Sequence, residues 1–239
     1  MIGYYSSLEP MGLVDGPGLR YVVFLQGCKL RCLYCHNPET WKLKEGKVIT
    51  SEELLHKILR YKNYYKNGGV TFSGGEPLLQ SEFLIDILKK CKENNLHTAI
   101  DTSGVGNGNY EEILKYVDLI VLDIKAIDEE KYIYITKAKM NEFSKFLAIA
   151  QKMQKPFWLR TVIVPGFNDT KEDILNLSKF VKKIDNVKKV ELLAYHLFGV
   201  YKYKELGIDY PLEGIKPMDE DNLLELQNYL NSLISNDDK

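Results

Sequence analysis

Tyr21-Val22-Val23-Phe24-Leu25 runs straight into Gln26-Gly27-Cys28-Lys29-Leu30-Arg31-Cys32-Leu33-Tyr34-Cys35-His36-Asn37. The first five residues are apolar, β-branched or aromatic without a break, the pattern of a strand buried on both faces. Three cysteines follow at once with C-x3-C-x2-C spacing. Three thiolates on one tight loop can face a common point, and soft sulfur ligands select zinc or an iron–sulfur cluster. A structural zinc prefers four closed ligands, and His36 would have to supply the fourth while pointing the same way as its neighbour Cys35. Three cysteines also suit a four-iron cluster with one iron left open to bind and activate a small molecule. The loop alone favours the cluster and leaves zinc as the alternative.

Outward from this passage the pattern repeats. Residues 69–72, 97–100, 119–122, 157–164 and 190–193 are further apolar runs bounded by breakers, giving with 21–25 about six strands. Amphipathic stretches lie between and around them, at 51–65, 81–94, 111–116, 141–154 and 170–184. Ser51 with Glu52 and Glu53 behind it, and Asp169-Thr170, resemble helix starts. A last helix is expected at about 219–234, ending in a polar tail that frays. Strand–helix alternation with continuous apolar strands argues for an α/β fold with a parallel sheet covered by helices. About six such units make an incomplete parallel (β/α)6 barrel, opened on one side, with the cysteine loop after the first strand. An open doubly wound sheet is the alternative, which periodicity does not separate from it. With no linker, internal repeat or low-complexity segment, residues 1–239 are expected to form a single domain. Chemistry belongs at the C-terminal ends of the strands, where the loops gather.

The bulk numbers fit a globular enzyme. Hydrophobic residues make up 45% and charged residues 27%, with a formal net charge of -1. No global basic field draws nucleic acid or anionic lipid, and no apolar run approaches a membrane span. The N-terminus lacks the charged start and apolar core of a secretion signal. Of four cysteines, three fall within eight residues, which speaks for metal binding in a reducing compartment over a disulfide framework. A cytoplasmic location is expected, and nothing in the sequence demands a dimer, so a monomer is expected too. Cys91, alone in Leu88-Lys89-Lys90-Cys91-Lys92-Glu93-Asn94, reads as a small core residue.

The C-x3-C-x2-C loop after the first strand resembles the signature of the radical S-adenosylmethionine superfamily. Asp15-Gly16-Pro17-Gly18-Leu19-Arg20 narrows the resemblance to the activases of glycyl-radical enzymes, and it extends over nearly the whole chain to Tyr195-His196. The resemblance implies a [4Fe-4S] cluster on Cys28, Cys32 and Cys35, with S-adenosylmethionine on the open iron. Tyr34, Cys35, His36 and Asn37 would lie beside that cofactor. Ser73-Gly74-Gly75-Glu76-Pro77 follows the second strand. By composition it is a turn; by resemblance Gly74, Gly75 and Glu76 form the methionine side of the cofactor site, the glycines allowing close backbone approach.

Asp101-Thr102-Ser103-Gly104 follows the third strand and Asp123-Ile124-Lys125 the fourth. Such residues also cap helices and close turns. The resemblance makes Asp101, Thr102, the Val121 carbonyl and Asp123 a monovalent-cation site, with oxygen ligands suited to a hard cation. It places Asp123, Ile124 and Lys125 against the cofactor. Arg160 lies inside the fifth strand, where an unpaired charge is costly, so it should face a polar cavity and pair with a carboxylate there. His196 resembles a cofactor-contacting histidine, against the plain reading of a hydrogen-bonded core histidine. Ala194 stands where a proline is expected before Tyr195-His196, a departure that bears on the loop's shape. Asp15 would help orient the substrate glycine.

The implied chemistry is cofactor-borne. One electron from the cluster cleaves S-adenosylmethionine, and the 5′-deoxyadenosyl radical takes a hydrogen from the α-carbon of one glycine in a partner protein. No general acid or base is demanded, so no side chain is nominated as catalytic. The implied partner is pyruvate formate-lyase, with flavodoxin or ferredoxin as electron donor. The rivals are the activator of anaerobic ribonucleotide reductase, a deazaguanine synthase, and a non-catalytic zinc-stabilised binding module. The Asp15–Arg20 lead-in disfavours the second. The third does not explain why each further motif follows a strand.

Overall fold

The computed structural model describes residues 1–235; the polar tail expected to fray lies outside the described residues. The strands are β1 (Ile2–Gly12), β2 (Arg20–Leu25), β3 (Lys47–Thr50), β4 (Gly69–Gly74), β5 (Thr98–Thr102), β6 (Leu119–Asp123), β7 (Phe157–Ile163) and β8 (Val187–Ala194). The helices are α1 (Ser51–Leu59), α2 (Ser81–Glu93), α3 (Tyr110–Lys115), α4 (Glu129–Thr136), α5 (Asn141–Lys152), α6 (Lys171–Val181), α7 (Val200–Glu205) and α8 (Glu220–Ser235).

All these strands join one sheet in the order β3-β1-β2-β4-β5-β6-β7-β8. From β2 to β8 every neighbouring pair is parallel, whereas β1 pairs antiparallel with both β2 and β3. The parallel strands follow one another in chain order, so each crossover steps in the same direction. Crossovers of one hand then place the helices on one face and leave the other to curl inward. A doubly wound sheet would reverse its order partway. This one does not, and the fold is a partial α/β barrel with β3 and β8 as free edges.

Side chains alternate across the sheet with period two, and the two faces differ. Outward-facing Val23, Leu25, Val70, Phe72, Ile100, Ile120, Leu122 and Leu159 are buried beneath the helices in the main core. Inward, Ala99, Leu119 and Val121 pack with Trp158 as a small separate cluster. Two residues further along the same strands, the inward positions become Asp101, Asp123 and Arg160. The barrel thus has an apolar floor and a polar mouth, and the mouth lies at the C-terminal strand ends.

The helix starts expected at Ser51 and at Asp169-Thr170 are both found. Thr50 caps α1, and Thr170 caps α6; each forms a reciprocal capping box, with Glu53 and Asp173 respectively. Helix α1 stops at Leu59 rather than continuing to 65, and a short 3-10 turn at Lys62–Tyr64 follows. Beyond buried Leu54 and Ile58 the next positions on that face, Tyr61 and Lys62, are not buried, so no packing rewards another turn. Cys91 is fully buried on α2, as expected of a core residue.

Candidate cluster and cofactor site

The cysteine loop is fixed from several sides. Gly27 turns the chain out of β2 with φ +101°, where a Cβ would come 2.4 Å from Leu43 Cδ1. The amides of Gly27 and Cys28 donate to the carbonyls of Thr40 (2.7 Å) and Trp41 (3.1 Å), and Gly27 O accepts from Glu76 N (2.8 Å). Arg31 N and Leu33 N donate to Thr136 O (2.8 Å) and Ile135 O (3.0 Å), fastening the loop to the end of α4.

Cys28, Cys32 and Cys35 are unbridged and line one cavity of about 290 Å³. Burial pushes the Cys28 thiol up to about 12, with nearby Glu76 adding to it, and the Cys32 thiol up to about 11. It moves Cys35 upward as well. Thiols buried this way become thiolates when a bound cation neutralises them, so these cysteines fit a metal group better than they fit free nucleophiles. Among the described residues, no three His, Cys, Asp or Glu converge on a spot suited to a single metal ion. A four-iron cluster does not require that, because each cysteine takes its own iron.

The rest of the cavity wall carries charge of both signs. Burial, and then the charge of Asp123, pushes Asp101 up to about 7, while Ser73 Oγ donates to Asp101 Oδ2 at 2.9 Å. Burial opposes the charge on Lys125, yet Asp123, Tyr34 and Cys32 outweigh it and hold the ammonium well above its ordinary pKa. Its Nζ donates to Asp123 Oδ2 at 2.7 Å and lies 5.7 Å from the centre of the Tyr34 ring. Arg160 reaches across to donate to Val14 O, with Nε 3.3 Å from Glu191 Oε2 but not aligned for a hydrogen bond. An acidic pair beside two cations is a donor set for a zwitterion, here the amino and carboxylate groups of an amino-acid moiety.

Asp15 is held at the same mouth from below. Thr71 Oγ1 donates to Asp15 O (2.6 Å), and fully buried Arg20 donates to Thr71 Oγ1 (2.5 Å), Pro17 O (3.1 Å) and Val70 O (2.8 Å). The turn needs Gly18 at φ +68°, since a Cβ there would meet Asn67 O at 2.0 Å. Burial raises the Asp15 carboxyl, and Arg160 and Arg20 oppose the rise.

Most of the expected site residues meet here. Asp15, Tyr34, His36, Asn37, Gly74 and Gly75 share the cavity wall with the cysteines. Asp101, Thr102, Asp123, Lys125 and Arg160 do so too. Four stand elsewhere. Glu76 lies fully behind the wall, where its carboxylate accepts from Thr102 Oγ1 (2.5 Å), Leu78 N (3.1 Å), Ser103 N (2.9 Å) and Ser103 Oγ (2.5 Å). The side chain of Val121 belongs to the apolar floor, while the atom expected as a ligand is its carbonyl oxygen. Ile124 is buried in a neighbouring cleft between α4 and α6. His196 reaches the site only through His36, on which it stacks. Ser73 and Ser103, which stand inside the two quoted motifs but were not nominated, also line the cavity, as does Trp41, which lies six residues past Cys35 and outside any motif. Ala194 ends β8 opposite Ile163, and Tyr195 N donates to Ile163 O at 3.1 Å, so the strand continues where a proline was expected.

A three-cysteine loop at the C-terminal mouth of a partial barrel with six parallel strands, with a charged cavity beside it, defines the radical S-adenosylmethionine class of iron–sulfur proteins. Residues 14–142 match the family described as a 4Fe-4S single cluster domain. Among solved structures, Streptococcus suis SuiB bound to precursor peptide SuiA superimposes with a TM-score of 0.71 at 16% identity, covering 90% of this chain and 46% of that one, a likeness of fold. The pyruvate formate-lyase-activating enzyme of Clostridium pasteurianum is 54% identical over 236 residues, covering 98% of this chain and 99% of the relative. That of Staphylococcus epidermidis is 48% identical over 239 residues, covering 96% and 95%. The chain belongs to the family of pyruvate formate-lyase-activating enzymes. Its cofactors are a [4Fe-4S] cluster and S-adenosylmethionine.

Proposed function

We propose that this protein activates pyruvate formate-lyase by removing a hydrogen atom from one backbone glycine of that partner. The observation that carries the reading is the set of three unbridged cysteines, one buried and two half-buried, on one cavity wall with the Asp123–Lys125 pair and Arg160. When bound, the cluster and S-adenosylmethionine would together supply the one-electron reductive cleavage that yields an acceptor for the glycine hydrogen.

This chain's own residues bind, orient and exclude water. Cys28, Cys32 and Cys35 hold the cluster. Lys125 and Arg160 face the cofactor carboxylate, and Gly74, Gly75 and the acidic residues face its amino group. Tyr34, His36, Asn37 and His196 flank it, and Glu76 acts from behind the wall by fixing Thr102 and Ser103. Asp101, Thr102, the Val121 carbonyl and Asp123 remain the proposed ligands of a monovalent cation, with Asp101 and Val121 in register across β5 and β6.

Asp15 orients the partner's glycine loop. Leu13 and Val14 beside it are more than 70% exposed, as is Phe198 on His196, so apolar side chains border the cavity for a partner segment to cover. The protein acts as a single-domain cytoplasmic monomer reduced by a flavodoxin or ferredoxin. Among the described residues no helix is long and apolar enough to cross a membrane.

The test is anaerobic reconstitution, then dithionite and S-adenosylmethionine with and without pyruvate formate-lyase. A glycyl-radical resonance that appears only with the partner, alongside 5′-deoxyadenosine, is the expected result. Deoxyadenosine with no glycyl radical would remove the partner from the reading. A colourless protein giving neither product would remove the chemistry.

A further inference from the structure

Among the described residues, the buried side-chain polar atoms without a hydrogen-bond partner are Glu39 Oε2, Trp41 Nε1, Tyr132 OH and Arg160 Nε. Two of these have partial explanations, because Glu39 pairs through its other oxygen with Lys202 at 2.5 Å and Arg160 Nε lies beside Glu191. Tyr132 OH and Trp41 Nε1 have no aligned acceptor within the protein. A buried donor left unpaired is costly, and such groups persist where an absent group would accept from them.

Both lie against the cysteine loop. Tyr132 is on α4, the helix whose final carbonyls hold Arg31 N and Leu33 N. Its ring packs on Phe143 with centroids 5.9 Å apart, and the side chain is fully buried. Burial, and then the charges of Cys32, Lys125, Glu76 and Cys28, act on its hydroxyl. Trp41 holds the loop by its backbone, accepting from Cys28 N. Its indole is fixed by Arg31 over the ring at 4.6 Å and by Tyr203 edge-on at 5.9 Å. The indole N–H lies close enough to Cys35 to favour the thiolate, though not aligned as a regular hydrogen bond. Trp41 thus lines the cavity with the three cysteines, and Tyr132 lies on the helix that docks on their loop.

We propose that Tyr132 OH and Trp41 Nε1–H donate hydrogen bonds to sulfurs of the [4Fe-4S] cluster and thereby raise the potential at which it is reduced. The proposal rests on the cluster reading above and deepens it. Reduction adds one electron to the cluster, supplied in the test by dithionite. No bond breaks, and both protons stay on their oxygen and nitrogen. The added negative charge falls partly on sulfur, so a donor aimed there stabilises the reduced state more than the oxidised one.

The experiment is a potentiometric titration of the reconstituted protein, followed by electron paramagnetic resonance, for wild type, Tyr132→Phe and Trp41→Phe. Tyr132→Phe removes only the hydroxyl and keeps the ring in its packing. The expected result is a lower midpoint for each variant with iron content unchanged. The ratio of reduced to oxidised cluster at a fixed potential should fall about tenfold, ~59 mV for a one-electron couple. An unaltered midpoint in Tyr132→Phe would overturn the proposal. Loss of iron from a Tyr132→Phe protein with unchanged circular dichroism would also overturn it, because a donor that tunes the potential is not needed for assembly. A wild-type chain that assembles no four-iron cluster would instead sink the underlying functional reading.

Discussion

The imidazole of His36 lies face to face with that of His196, ring centroids 3.8 Å apart and planes 16° from parallel. The two are separated by 160 residues, and His36 Nε2 donates to the carbonyl of His196 itself at 3.1 Å. One ring follows the cysteine loop of the first parallel strand and the other follows the last strand. The stack therefore ties together the two ends of the barrel at its open side.

Removing the outer ring should loosen the cofactor without disturbing the cluster. His196→Ala is expected to keep its iron and its visible absorption while KM for S-adenosylmethionine rises about tenfold, ~1.4 kcal/mol. Equilibrium binding of the cofactor to the reconstituted variant checks this. Unchanged affinity would confine His196 to a structural part.

The four cysteines should divide cleanly. Cys28→Ala, Cys32→Ala and Cys35→Ala should each assemble no complete cluster and yield no 5′-deoxyadenosine. Cys91→Ala should retain full iron and activity but lose about 1 kcal/mol of stability, since it only shortens a fully buried side chain on α2. Iron analysis beside a urea titration reads both. A Cys91→Ala protein that loses iron would contradict the assignment of ligands.

The parallel strands and the cysteine loop were legible because burial on both faces writes continuous apolar runs such as Tyr21–Leu25 into the chain. Strand β1 was not. Its residues Ile2–Gly12 alternate only weakly between buried and exposed, include Pro10, and shift register against β2 twice, which destroys a period of two. Helix α4 was missed because Glu-Glu-Lys-Tyr-Ile-Tyr-Ile-Thr is rich in β-branched and aromatic residues, poor helix formers on their own. It forms because Asp128 caps it and the cysteine loop docks on its last carbonyls. The same dependence on tertiary contact hid Tyr132, which nothing in the local sequence connects to Cys32. Glu76 was found by its motif but misplaced to the cavity, because a turn motif does not show which way its side chain points.

That displacement of Glu76 has a measurable consequence. Its two oxygens accept four hydrogen bonds from Thr102, Leu78 and Ser103 while burial raises its pKa. Glu76→Gln replaces one accepting oxygen with a donor, leaving either the Thr102 and Leu78 side or the Ser103 side facing N–H groups. A loss of about 1–3 kcal/mol in urea denaturation is expected. Cofactor affinity should fall only modestly, through the shifted Thr102. A large loss of affinity with full stability would return Glu76 to the cavity wall.

Away from the site, Asp86 offers a pH test with a definite sign. Burial raises its pKa, but hydrogen bonds from Lys90 Nζ (2.7 Å) and Ser51 Oγ (2.5 Å) outweigh that and lower it from 3.8 to about 2. The folded carboxylate thus binds its proton less readily than the unfolded one. Stability from this group is fully present above pH 3.8 and is lost as pH falls through about 2. Asp86→Asn should cost about 1 kcal/mol at neutral pH, after allowance for partial solvent exposure. The gap between wild type and variant in urea titrations should stay constant from neutrality down to about pH 4 and then narrow. A gap that stays constant to pH 3 would mean that Asp86 braces α1 against α2 by shape rather than by charge.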